Sequence, residues 1–183
     1  MIIDENLKCR KQCAKAVNAA NATLGMIKRS FVNKEKKTIL ALYKSVVRPK
    51  LEYCIQAWRP YLKKDIELME RVQHRATKLI SSLRKETYEN RLKLLGLTTL
   101  ETCRLRGDLI EAFKIIKGYE DISWQTFFTM SSTAQLRGHH QKFYKHSVRL
   151  DIRKYSFSQR VINEWNLLPD EIFECTTVNN FKN

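Results

Sequence analysis

Residues 42–83, LYKSVVRPKLEYCIQAWRPYLKKDIELMERVQHRATKLISSL, decide how the chain folds. Ile39, Leu42, Tyr43, Val46 and Val47 recur at spacings of three and four, the period of one helical face. Arg48-Pro49 is expected to end or kink that helix, because proline lacks an N–H and disfavours helical geometry just before it. A second stripe follows in Ile66, Met69, Val72, Ala76, Leu79 and Leu83. Glu67, Arg71, Arg75 and Lys78 occupy its opposite surface, which predicts an amphipathic helix of about five turns. Tyr53, Trp58 and Tyr61 lie between the stripes and are expected to form the packed corner of a helical pair. Stripes and aromatics read as core, and nothing in the stretch is catalytic by chemistry.

Outward from this centre the helical pattern continues in both directions. Met1–Asp4 read as the stub of a strand, so the chain reads as a fragment. A first helix is expected from Asn6 to Ser30, burying Val17, Ala20, Leu24, Ile27 and Phe31. After a turn at Phe31–Lys34, the second helix opens on Lys34, Glu35, Lys36 and Lys37, a basic first turn that opposes the helix dipole. A turn at Ser81–Lys85 precedes a short fourth helix through Tyr88, Leu92 and Leu95, closed by Gly96. Thr98 to Glu101 reads as a capping box. The fifth helix then runs through Leu105, Leu109, Phe113 and Ile116 to Gly118.

Beyond Gly118 the pattern weakens. Phe143, Val148, Leu150 and Ile152 nearly alternate, which predicts short extended segments. Ser158–Leu168 returns to helix and Pro169 ends it; Thr176-Thr177-Val178 starts a last turn. The expected architecture is mainly α: a bundle of about five helices over 1–118, then a smaller α/β appendage over 119–183.

Composition sets the class of partner. The 183 residues carry 34 Lys and Arg against 19 Asp and Glu, a formal charge of +15. Twelve of the bases and only three of the acids fall in the first fifty residues. Such a surplus favours a polyanion, most simply nucleic acid. No apolar run is long enough for a membrane span, and the first residues lack the features of a signal peptide. Five cysteines without framework spacing suggest free thiols in a reducing compartment, hence an intracellular protein of the nucleus or cytoplasm.

Catalytic chemistry is missing from the sequence. Asp4, Asp65, Asp108, Asp121, Asp151 and Asp170 include no adjacent pair. There is no phosphate-cradling glycine loop, HExxH or GxSxG. Cys9 and Cys13 share a helical face, but His139, His140 and His146 lie far downstream. A zinc site would need four such ligands within about 2.0–2.3 Å of one ion, and none is expected. Cys54, Cys103 and Cys175 read as ordinary thiols.

The wording of residues 42–80, LYKSVVRPKLEYCIQAWRPYLKKDIELMERVQHRATKLI, resembles the region downstream of the catalytic palm in non-LTR (LINE-type, jockey-like) retrotransposon reverse transcriptases. LGMIKRSF at 24–31, RLKLLGLTTLETCRLRGDLIEAFKIIKG at 91–118 and RKYSFSQRVINEWNLLP at 153–169 resemble the same family, in the same order. The resemblance implies that the helical bundle over 1–118 is thumb-like, and that the parent performs RNA-directed DNA synthesis primed from a nicked target. Its Mg²⁺-holding carboxylates would belong to a palm upstream of residue 1, so no catalytic residue and no cofactor is expected in this chain. RNA and DNA, as template–primer or element RNA, are the implied partners; a membrane is not.

Basic residues supply the candidates for that binding. Lys11, Lys15, Lys28 and Arg29 decorate the first helix, and Arg71, Arg75 and Lys78 form a stripe on the third. Arg137, Lys142, Lys145 and Arg149 belong to a basic segment interleaved with Phe143, Tyr144, Tyr155 and Phe157. Cations contact phosphates and aromatics can stack unpaired bases. Each stripe also suits a merely solvated face. Two other readings therefore stay open: a helical scaffold for protein partners, and an inert remnant of a decayed element.

Overall fold

The computed structural model describes residue 2, residues 8–132 and residues 139–182. The chain is mainly helical and forms two compact units, Met1–Arg104 and Leu105–Asn183. The division falls after Arg104, inside a helix, where the sequence pattern places it at Gly118.

In the first unit, α1 (Arg10–Ser30) buries Cys13, Ala16, Val17, Ala20, Leu24 and Ile27. The strand stub and the start of the first helix fall largely outside the described residues, and Ile2 belongs to no strand. After it, α2 (Lys36–Leu42) passes into a π-helical turn, Tyr43–Val47, and then into α3 (Arg48–Glu52). The expected break at Arg48-Pro49 does not occur. Pro49 sits near the start of α3, where its missing N–H is tolerated, and the wider π-turn precedes its ring.

The π-turn also settles which residues face inward. Ile39, Tyr43, Val47 and Leu51 are all buried, at most 3% exposed, yet each is four residues from the next. In an ideal α-helix a step of four overshoots a full turn by about 40°, so three steps drift about 120°. One extra residue in a turn takes back about 100° of that, and the four stay on one face. The same rotation leaves Val46, expected in the core, 42% exposed.

Beyond α3, Cys54 takes the left-handed conformation (φ 56°) and α4 (Ile55–Trp58) follows. Trp58 is buried, and its indole N–H donates to the Tyr53 carbonyl at 2.7 Å. Tyr53 itself is 78% exposed, so the corner is made by Trp58, and Tyr53 contributes its backbone. Next, α5 (Lys63–Lys78) buries Met69, Val72 and Ala76 as its period predicts, together with Asp65, Gln73 and Thr77. A 3-10 turn (Ser81–Leu83) leads to α6 (Tyr88–Leu95), capped by the Thr87 hydroxyl and ended by left-handed Gly96.

A polar network ties α5 to the elements after it. The Tyr43 hydroxyl donates to Gln73 Oε1 at 2.5 Å, and Gln73 Nε2 donates to the Tyr88 oxygen and the Thr98 carbonyl, each at 2.9 Å. Tyr88 in turn donates to the Glu70 carboxylate. The other Glu70 oxygen accepts the Leu100 N–H at 2.9 Å, at the start of α7 (Leu100–Ile116). The expected capping box is thus displaced by one residue. Thr99, not Thr98, accepts the Thr102 N–H, and Glu70 from α5 acts where Glu101 was expected. On α7 Leu100 and Arg104 are buried in the first unit, and Asp108, Ala112, Ile115 and the expected Phe113 in the second; Leu105, Leu109 and Ile116 are only half-buried. Arg104 is enclosed without a carboxylate in hydrogen-bond contact. One guanidinium nitrogen donates to Met69 Sδ at 3.2 Å, Nε has no partner, and burial pulls its pKa down.

The second unit has an aromatic core. Phe143 stacks between Phe128 (4.2 Å between ring centroids) and Trp165 (5.2 Å), and His139 stacks on Phe173 (3.8 Å). Its short helices are α8 (Asp151–Lys154), α9 (Phe157–Arg160), α10 (Ile162–Asn166) and α11 (Val178–Lys182). A buried ion pair anchors the unit: Arg160 donates to both oxygens of Asp108 at 2.9 Å.

The expected α/β character of the appendage is not found. Among the described residues the only β-pairing is an isolated bridge between Met130 and Phe143. On the other edge of Phe143 the Asn166 side-chain amide donates to the Phe143 carbonyl and accepts its N–H, both at 2.9 Å, taking the groups that a second neighbouring strand would engage. Further along the expected alternation, Leu150 and Ile152 are exposed and Ile152 falls in α8.

Candidate nucleic-acid interface

Two turns at one end of α1 and α5 are held together by the backbone of the first unit. The Ser81 N–H donates to the Lys34 carbonyl at 3.3 Å, which joins the turn after α1 to the turn after α5. That juncture frames an open cleft of about 630 Å³. Lys28 comes from the last turn of α1, Arg75 and Lys78 from the last turn of α5, and Lys34 and Arg84 from the two turns. Leu24, Gly25 and Leu79 line the same cleft. Among the described residues no carboxylate lines it and none of the five cations forms an ion pair. Arg75 is oriented by a hydrogen bond to Asn21 Oδ1 at 3.2 Å.

Helix polarity explains how the fold tolerates this crowding. Three of the cations occupy the C-terminal turns of their helices, where exposed carbonyls favour positive charge by about 0.3–1 kcal/mol each. The mutual repulsion of the five is screened in salt, since the Debye length is only about 8 Å at physiological ionic strength. The arrangement is therefore stable without a ligand, yet leaves five positive groups open to an anion.

The remaining expected contacts are dispersed. Arg71 is exposed on α5 but does not line the cleft, and Arg29 stands beside it, next to Gly25. Lys15 lies on a different, mainly apolar groove of about 850 Å³, formed by α1 against the π-turn and α3. Lys11 is exposed on α1. In the second unit Lys145 is engaged by Asn163 Oδ1 at 2.9 Å, Lys142 is half-buried and Arg149 is exposed on an irregular segment. Arg137 lies outside the described residues. Of the aromatics expected to interleave, Phe143 is core, Tyr155 and Phe157 are half-buried, and Tyr144 is exposed.

Compared with known proteins, the chain matches no family model, no curated protein and no solved structure.

Arg84 is the cleft residue that sequence reasoning misses, and Lys34, expected in the basic first turn of the second helix, lies in the turn before α2 instead. Each follows a helix by a few residues and belongs to no stripe, so periodicity is silent about them. As for metal, Cys9 and Cys13 share one face of α1, and burial pushes the Cys13 thiol up to about 12, away from the thiolate a metal requires. No group of three or more metal-binding side chains occurs among the described residues. No helix of the described residues is long and apolar enough to cross a membrane.

Proposed function

We propose that this chain is the post-palm, nucleic-acid-gripping part of a non-LTR retrotransposon reverse transcriptase. It holds template–primer or element RNA in the nucleus or cytoplasm and performs no catalysis of its own. The observation that carries this reading is the cleft, in which five cations from four segments converge with no carboxylate among the described residues. The overall surplus of +15 adds the long-range attraction that brings a polyanion to it. The resemblance of residues 42–80, 91–118 and 153–169 to that family supplies the identity of the parent.

A second reading, a helical scaffold for a protein partner, draws on the apolar groove. Met26, Val46 and Tyr53 line it and are 53%, 42% and 78% exposed. Salt separates the two readings, because phosphate binding weakens steeply as salt rises.

The test is the affinity for single-stranded RNA measured by fluorescence anisotropy over a salt series. Each phosphate contact contributes about 0.7 to the log–log slope on a single strand. Replacing Lys28, Arg75 and Lys78 together by Gln is expected to lower the slope by about two units. A control triple at the exposed Lys63, Lys64 and Lys93 removes the same charge outside the cleft and is expected to change it little. Equal losses from both triples would reduce the interaction to net charge. No binding by the wild type at about 50 mM salt would overturn the reading.

A further inference from the structure

Phosphate contacts alone do not account for the shape of the cleft. Beside its five cations and the polar Asn21 and Ser81, the cleft is lined by Leu24, Gly25 and Leu79, an apolar part that we take as its floor, with the cations as its rim. A surface that only meets phosphates gains nothing from an apolar depression, whereas the face of an unpaired base is the apolar part of a nucleotide. A cleft of about 630 Å³ is on the scale of small-molecule sites.

Gly25 is the second, independent observation. It lies well inside α1 (Arg10–Ser30), where glycine weakens a helix relative to alanine. Packing does not demand it, since a Cβ there would meet only Arg29 Nη1, at an ordinary 3.6 Å. Its backbone is not in the left-handed region either. What the missing side chain does is keep the cleft floor open.

We infer that the cleft binds an unpaired nucleotide of a single strand, its base lying on Leu24, Gly25 and Leu79 and its flanking phosphates on the cationic rim. This rests on the nucleic-acid reading above and names the form of nucleic acid that the site takes. The rim cations fix the backbone without regard to sequence, and the floor accepts any base through its face.

The experiment compares two probes with equal phosphates: a single-stranded oligonucleotide and the same backbone made wholly abasic. Both are titrated against the whole chain over a salt series. The expected result is two parallel salt lines with the base-bearing strand about tenfold tighter, because removing the bases leaves the number of phosphate contacts unchanged. Gly25→Leu, which fills the floor, is expected to bring the base-bearing strand down to the abasic line with its slope unchanged. Circular dichroism checks that this variant keeps its helices. The wild-type comparison stands on its own if Gly25→Leu does not fold. Coincident lines for the two probes would overturn the unpaired-nucleotide site while leaving phosphate binding intact. Absence of binding to either probe at about 50 mM salt would instead overturn the nucleic-acid reading itself.

Discussion

Glu70 joins three helices of the first unit, so removing its carboxylate should cost far more than an ordinary substitution on a helix surface. It accepts from the Tyr88 hydroxyl on α6 and from Gln73 Nε2 on its own helix, and its second oxygen accepts the Leu100 N–H that opens α7. Loss of a helix-capping acceptor costs about 0.5–2 kcal/mol, and a hydrogen bond to a charged group contributes about 1.5–3 kcal/mol. Glu70 is half-buried, so water can re-solvate part of what is orphaned, and Glu70→Ala is expected to destabilise by about 2–4 kcal/mol. At a urea m-value of about 2 kcal/mol/M, that moves the helical circular-dichroism midpoint down by about 1–2 M. Tyr88→Phe removes one partner alone, and the double-mutant cycle should give a coupling of at least about 1 kcal/mol. Hydrogen exchange adds a local readout, since protection at the N-terminus of α7 should fall in Glu70→Ala and persist in Tyr88→Phe. A loss below about 0.5 kcal/mol, or a strictly additive cycle, would refute the role given to Glu70.

Two further expectations concern the second unit. Asp108→Asn leaves Arg160 without its buried counter-charge and should cost about 3–5 kcal/mol, the range for breaking a buried pair from one side; limited proteolysis that cuts residues 105–182 no faster than in the wild type would contradict it. His139 is buried, with Nε2 on the Trp165 carbonyl, and burial first of all lowers its pKa below 6.5. The unfolded chain then takes up the proton first as pH falls, so stability is full above about 6.5 and declines below it. His74 on α5 shifts in the same direction, so the comparison is with His139→Phe, whose midpoint in urea should fall less between pH 7 and pH 5.5; identical pH dependence in the two proteins would exclude His139 as a source.

Sequence periodicity is informative where helices bury unbroken apolar faces. Met69, Val72 and Ala76 on α5, and Val17, Ala20, Leu24 and Ile27 on α1, are buried as their spacing predicts. On α7 it finds Phe113 but misses the buried Arg104 and Asp108, two residues that any hydropathy pattern assigns to solvent. The alternation from Phe143 to Ile152 suggested strands, but only Phe143 is buried, its backbone met by Asn166 23 residues away, while Leu150 and Ile152 are exposed. The cap at Leu100 is hidden because its acceptor lies 30 residues upstream. In the cleft, Lys28, Arg75 and Lys78 were legible as basic stripes. Their convergence depends on the joined turns at Lys34 and Ser81, a tertiary fact with no periodic signature.

The π-turn at Tyr43–Val47 makes the length of this segment as consequential as its composition. An exchange of side chain at exposed Lys44 or Ser45 leaves the helical path alone. Loss of a single codon there would turn the segment into plain α-helix with the downstream face unchanged, because the residue removed is the one the π-turn had absorbed, and Leu51 would stay on the side of Ile39. Gain of a codon has no such outlet: it would rotate everything after it by about 100° and swing Leu51 out of the core. Over generations this stretch should thus accept many spellings, and lose a residue more readily than gain one.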